Sequence, residues 1–482
     1  MEGMRKGNLQ SDVCHHRIGL NAGIGKRTTG TRHHKFKSRA FAAVSFLLLT
    51  AALTVYPCLA QDWIKTGTGL GMEKVRLAVP DFKSSTSDAK NADLLKVFND
   101  TLWNDLDSAG IFDMASKSFY PLAVPGNPAD VRFDAWNAPP VNAAMLAFGN
   151  LGVTGKNVTV QGWLYDVKNI TSPQVLGKQY QDAATSDAAR LIAHKFADEI
   201  IFRLGGGIPG VAESQIYFVR SDGRGHKEIW GMDYDGANQH QITHLGAISL
   251  SPRISPDGSR LALSSMTKTG WEILMYSMDL NRLVTFPKFG GTNLSPAWSA
   301  DGTKLAFSSS RSGDPEIYTV DQSGGNLRRI TSFKGPDVSP VWNRKTGAQI
   351  AWVSGRTGLP QIYTMEADGT NVQRLTDEGY AVSPAWSPNG QFLIFSWIRH
   401  YGPGAPGAED IYLMDAASRQ WVQLTHDGGR NDFPSWSPDG RHIVFQSSRS
   451  GGEQIWSMLA DGTNQKQLTF AGSNSQPNWS WK

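Results

Sequence analysis

The second half of the chain repeats one pattern of apolar and polar positions. Short runs alternate with period two, as in Leu305-Ala306-Phe307-Ser308, Leu393-Ile394-Phe395-Ser396 and Ile443-Val444-Phe445-Gln446. A second run follows each of them: Ile317-Tyr318-Thr319-Val320-Asp321, Ile362-Tyr363-Thr364-Met365-Glu366 and Ile455-Trp456-Ser457-Met458. Such alternation predicts half-buried strands. Units end on pairs such as Ile330-Thr331, Leu375-Thr376, Leu424-Thr425 and Leu468-Thr469. The prolines at Pro252, Pro296, Pro340, Pro384, Pro434 and Pro477 recur at intervals of 44, 44, 44, 50 and 43 residues. Each opens the same phrase, seen in Ser295-Pro296-Ala297-Trp298-Ser299-Ala300-Asp301-Gly302 and Ser383-Pro384-Ala385-Trp386-Ser387-Pro388-Asn389-Gly390. The Asp-Gly and Asn-Gly steps supply the left-handed positions that short hairpins need.

Four antiparallel strands per unit, repeated six times, predict a six-bladed β-propeller, in which blades stack because no single sheet buries both its faces. The ends of the array agree. It is entered at Ile216-Tyr217-Phe218-Val219, which matches the second strand of a unit, and left at Pro477-Asn478-Trp479-Ser480, which matches the first. The carboxyl-terminal strand is therefore expected to complete the opening blade and leave no free edge.

Ahead of the repeats the pattern changes to strands and helices mixed, a small α/β domain over residues 75–204. Val75-Arg76-Leu77-Ala78-Val79-Pro80 reads as a buried strand; Leu94, Leu95, Phe98, Leu102 and Leu106 fall on one helical face, with Gly110 as the stop. Two strands are expected around residues 158–164 and 175–180, then a helix from Ser186 with apolar face Ala188, Leu191, Ile192, Phe196, Ile200 and Leu204. Residues 205–211, rich in Gly and Pro, link it to a propeller over 212–482.

The 482 residues carry 50 Gly, 24 Pro and 16 Trp at 40% hydrophobic, which suits many short strands and excludes a disordered chain or a long helical bundle. The net charge of +4 is misleading. Arg32, Lys35, Lys37 and Arg39 precede an apolar run over residues 40–56, and Cys58-Leu59-Ala60 follows, the layout of a cleavable secretory signal with an amino-terminal extension. A membrane anchor is the alternative, but the run is short and Pro57 closes it. Cleavage after residue 60 removes nine of 47 basic and two of 43 acidic residues, leaving 38 and 41 and a net charge of −3. The support for nucleic-acid binding goes with it. Cys14 and Cys58 both precede the cut, so no disulfide, cysteine metal site or cysteine nucleophile is expected in the mature chain.

No Gly-x-Ser-x-Gly elbow or phosphate-binding loop is present, and Gly67-Thr68-Gly69-Leu70-Gly71 fails the dinucleotide pattern at Met72, so it reads as a flexible leader over residues 61–74. His240 and His244 share a metal-ligand spacing for a helix but fall in an expected strand and loop. No catalytic residue, cofactor or metal site is assigned. Trp298, Trp342, Trp386, Trp436 and Trp479 suit either a stacking platform or, since they recur once per blade, packing between blades. Lys268, Arg311, Arg356, Arg399 and Arg449 recur after each second strand; they would ring one end of the channel or pair locally with acids such as Glu272, Glu316 and Asp410.

The leader 62–72, the strand Val75-Arg76-Leu77-Ala78-Val79-Pro80-Asp81-Phe82, the helix Ala188-Ala189-Arg190-Leu191-Ile192-Ala193-His194-Lys195 and the six Ser-Pro-x-Trp repeats together resemble the TolB family of the Tol-Pal envelope system. The likeness takes in essentially all of residues 61–482. It implies a non-enzymatic periplasmic adaptor, monomeric when alone and not inserted in a membrane, that supports envelope integrity and cell division. Its leader, with Asp62, Trp63, Ile64 and Lys65, would contact the inner-membrane protein TolA. One channel end would receive the outer-membrane lipoprotein Pal through Gly291, Thr292, Asn293, Asp337, Val338, Arg430, Asn431 and Asp432. Three departures stand out: Asn343-Arg344-Lys345-Thr346 replaces Ser-Pro-Asp-Gly in the third repeat, residues 401–408 are inserted, and Leu204-Gly205 replaces the family's common Leu-Thr. The competing classes are an exported hydrolase or peptidase-associated propeller and a glycan-binding propeller.

Overall fold

The computed structural model describes residues 73–398, 409–426 and 428–481, all within one compact unit, Trp63–Lys482. The expected signal sequence, the expected leader residues Asp62, Trp63, Ile64 and Lys65, and Arg399 lie outside the described residues.

The amino-terminal part is a mixed sheet in the order Phe112–Met114, Val75–Ala78, Met145–Thr154, Asn157–Asp166, Gln174–Ala183, parallel across its first three strands and antiparallel beyond. Helices Asn91–Ser108 and Ser186–Leu204 cover one face, and their apolar stripes, led by Leu94, Phe98, Leu102, Ile192, Phe196 and Ile200, share its core. Gly110, at φ 76°, ends the first helix in the left-handed conformation that glycine adopts without penalty. Thr185 caps the second by accepting from the Ala188 amide. Leu191, expected on the apolar face, is exposed. The buried stripe runs instead through Ala189, Ala193 and Ala197, whose small side chains let the helix lie close to its neighbour. The sheet approaches as tightly at Gly162, where a Cβ would stand 2.7 Å from the Phe196 ring.

Six four-stranded antiparallel sheets follow. Blade one joins Ser473–Trp479 to Gln215–Ser221, with Trp479 opposite Ile216, so the carboxyl-terminal strand does close the ring. Blades two to six have as innermost strands Ser249–Ile254, Asn293–Trp298, Asp337–Trp342, Tyr380–Trp386 and Asn431–Trp436. In all six innermost strands the register slips at the repeating proline, and the residue before it (Ser251, Ser295, Ser339, Ser383, Phe433 or Gln476) takes a φ of 51–54°. A proline has no N–H for a ladder and is tolerated at edges and bulges. The repeat puts it on the edge facing the axis, where a bulge bends the strand and blunts it as a template for pairing.

In five of the six blades the terminal Thr of the repeat fastens the outer strand to the third. Thr331 Oγ1 accepts from the Ile317 amide at 2.8 Å and donates to Glu316 at 2.6 Å; Thr425 does the same between Ile411 and Asp410. Thr243 and Thr469 repeat this with Glu228 and Gln454.

Candidate functional site

Of the residues assigned to a docking face, the structure exposes only part. Gly291, Thr292 and Arg430 are exposed on connections between blades, and Val338 and Asp432 are half-buried as the second residues of innermost strands. Asn293, Asp337 and Asn431 are wholly buried. They occupy one repeat position, the start of the innermost strand, and pin the connections beneath the surface. Asn293 donates to the Gly290 carbonyl, Asp337 pairs with Arg356 at 3.0 Å, and Asn431 bridges Asp410 and Arg449. Arg430 pairs with the buried Glu409. Burial, and then Asp432, push Glu409 up to about 7 in spite of that pair.

The recurring cations divide between the two readings. Arg356 lies over Phe333, Trp352 and Tyr363 and meets Asp337, while Arg449 lies over Phe445 and Trp456 and meets Asn431. Pairing is local, but with the residue opening the first strand. Of the acids opening the third, Glu316 is taken by Thr331 and Arg329, Asp410 by Thr425 and by Asn431 of the next blade, and Glu272 by Asn293 of the next blade. Lys268 is exposed and Arg311 lies over Tyr318. The Trp series is buried between blades: the indole N–H of Trp298 donates to Arg253, and that of Trp436 to Ala385, carbonyls of the preceding blade. His240 lies on the outer strand of blade one and meets the Asn238 carbonyl; among the described residues no His, Cys, Asp or Glu group is placed to hold a metal ion.

A polar network that sequence reasoning missed joins the α/β layer to the ring. Asp105, 3% exposed, accepts from the Tyr234 hydroxyl at 2.6 Å and meets His194 Nδ1 at 2.7 Å. His442 donates to the Ser108 carbonyl, Arg441 to the Gly205 carbonyl, and Arg190 pairs with Asp233 and Asp235. Asp198 accepts from the amides of Ala212 and Glu213, so the Gly-rich link 205–211 is held at both ends. Burial pushes Asp198 up to about 7 and raises Asp105 and Tyr234 as well. Burial works against Asp439 too, yet His442, Arg441 and Ser437 hold it below the usual carboxylate range.

At the axis, the innermost strands enclose a cavity of about 100 Å³. One repeat position, the x of Ser-Pro-x-Trp, lines it from every blade: Arg253, Ala297, Val341, Ala385, Ser435 and Asn478. Arg344 and Trp481 line it as well, with the guanidinium 3.9 Å from the ring centroid. Burial pushes Arg253 down to about 10 and Arg344 down to about 9.

A family model described as the TolB beta propeller domain matches residues 203–401 and 377–482, which together take in more than half of the sequence. The chain belongs to the TolB β-propeller family. It is 32% identical over 255 residues to the Tol-Pal system protein TolB of Roseobacter denitrificans, covering 52% of this chain and 54% of that protein. It is 34% identical over 245 residues to the protein of the same name from Cereibacter sphaeroides, covering 50% and 52%. The chain thus spans about half the length of the curated relatives it matches. The crystal structure of TolB from Acinetobacter baumannii superposes with a TM-score of 0.71 over 85% of this chain and 97% of that one at 23% identity, a likeness of fold that includes the α/β layer.

Proposed function

We propose that this chain is a non-catalytic adaptor of the Tol-Pal system in the periplasm, with a Pal-like lipoprotein docking on the face of the inter-blade connections. A TolA-like inner-membrane protein is held by the leader 61–72. The observation that carries the reading is the family's propeller joined to the α/β layer in one unit, the arrangement that also superposes on a solved TolB. The docking surface then comprises Gly291, Thr292, Val338, Arg430 and Asp432, while Asn293, Asp337 and Asn431 set its shape from below.

Affinity capture from solubilised envelope should enrich a peptidoglycan-binding lipoprotein. Thr292→Arg should weaken that capture about ten-fold or more without changing the melting temperature, as loss of a central contact does; Arg430→Glu should weaken it as much and also lower the melting temperature, because Glu409 loses its partner. Deleting residues 61–71 should abolish binding of the TolA-like protein and leave lipoprotein affinity within a few-fold. Failure to enrich a lipoprotein overturns the adaptor reading, and intact TolA-like binding after the deletion overturns the role of the leader.

A further inference from the structure

We propose that the axial cavity binds a small carboxylate between Arg253 and Arg344. These two arginines are departures of the sequence from its own repeat. Arg253 stands where the other five blades carry Ala297, Val341, Ala385, Ser435 and Asn478. Arg344 follows the turn residue Asn343, at the position of Pro256, Ala300, Pro388 and Pro438 in other blades. Two independent breaks of a six-fold pattern converge on one cavity.

The partner of Arg344 shows how the cavity is built. Trp481 follows Ser480 of blade one as Arg344 follows Asn343 of blade four, so the two share a repeat position. Blades one and four face each other across a six-membered ring. Their contact therefore spans the axis and floors the channel at the end toward which the innermost strands run.

Neither cation has a carboxylate partner among the described residues. Arg253 donates to the Pro252 carbonyl at 2.8 Å, and Arg344 reaches the Trp436 carbonyl at 3.4 Å. A guanidinium carries five N–H donors in a planar fork, and each of these two reaches a protein carbonyl with one of them. Both side chains are half-buried with no counter-charge beside them, and the surrounding protein lowers the pKa of both groups. The fork geometry selects a carboxylate over a halide. The cavity has several times the space one water needs and is too small for a folded partner. The carboxylate belongs either to a free small acid or to the end of a polypeptide, and the chemistry in the cavity is common to both. The inference is independent of the adaptor reading.

Calorimetric titration of the unaltered protein at constant ionic strength decides the matter, with acetate, succinate, a tetrapeptide with free carboxyl terminus, the same peptide amidated, and phosphate. Saturable binding of succinate or acetate identifies a free acid; binding of the free but not the amidated peptide identifies a chain end. Arg253→Gln and Arg344→Gln should each weaken that binding about ten-fold or more, as loss of a charge-assisted bond does. Arg253→Gln should leave the ligand-free melting temperature unchanged or higher, because it removes an uncompensated charge, whereas Arg344→Gln should lower it slightly through loss of the Trp481 contact. Arg253→Lys, which keeps the charge and loses the fork, should bind more weakly than the unaltered protein. The proposal fails if no carboxylate binds saturably below about 10 mM, if phosphate binds and carboxylates do not, if amidation makes no difference to the peptide and neither free acid binds, or if Arg344→Gln binds as before.

Discussion

Replacing Trp386 by Ala tests the packing on which the ring depends. Trp386 is 3% exposed and packs with Ala351 of the preceding blade and Leu393 of its own. An indole buries roughly 200 Å², and some 150 Å² of that is lost on truncation. At about 25 cal/mol per Å² this gives about 4 kcal/mol, within the range of about 3 to 5 kcal/mol seen for large aromatic truncations that leave a cavity. Trp436→Ala should cost about 1 kcal/mol more, because its indole N–H donates to the half-buried Ala385 carbonyl at 3.2 Å, and truncation removes that bond. Equilibrium unfolding in guanidinium, with the slope held common to the variants, supplies both differences. A Trp386→Ala variant within about 1 kcal/mol of the unaltered protein would refute packing between blades as the role of this series. A stacking platform makes the opposite forecast, with binding lost and stability kept.

Three further outcomes follow from the interior. Asp198 and Glu409 have folded pKa values raised to about 7, so the stability they confer is complete below about pH 4 and is lost as pH rises through about 7. Asp235 and Asp439 are lowered and act in the opposite sense only in the acid range. Unfolding free energy should therefore drop by about 2 kcal/mol between pH 5 and pH 8, allowing for partial exposure, with Asp198→Asn flattening the slope; a rise over that interval contradicts the assignment. Tyr234→Phe removes the hydroxyl that donates to Asp105 and should cost about 2 kcal/mol and hasten protease cleavage within residues 205–211, read by mass spectrometry. Deleting residues 473–482 strips blade one of its inner strand and should yield a soluble chain without one sharp thermal transition, or none at all; an unchanged calorimetric peak would count against closure.

The ring was legible because its signal is repeated: six prolines and one hairpin phrase state the count, and the phase at Ile216 and Trp479 states the closure. The strand Met145–Thr154 was not legible. It is buried on both faces from Leu146 to Val153, so nothing alternates, and Gly149 and Gly152 weaken the remaining signal. Asn293, Asp337 and Asn431 looked like surface residues because they are polar and precede Ser-Pro or Phe-Pro steps, yet their polarity serves buried carbonyls and guanidinium groups. The contact of Asp105 with His194 and Tyr234 spans 89 and 129 residues, and no local pattern announces it. Arg253 and Arg344 were visible only as lapses of the repeat, and their meeting in one cavity needed the ring.

The seven residues that seal the barrel-like circle, Ser473–Trp479, leave the ribosome long after the strand they pair with. A nascent chain carries Gln215–Ser221 from early on with one flank of amides and carbonyls unanswered, and it must wait for more than 250 further residues before its mate exists. Prematurely terminated products are thereby marked by a bare sheet margin, a feature that chaperones and proteases can read, whereas a finished chain conceals it.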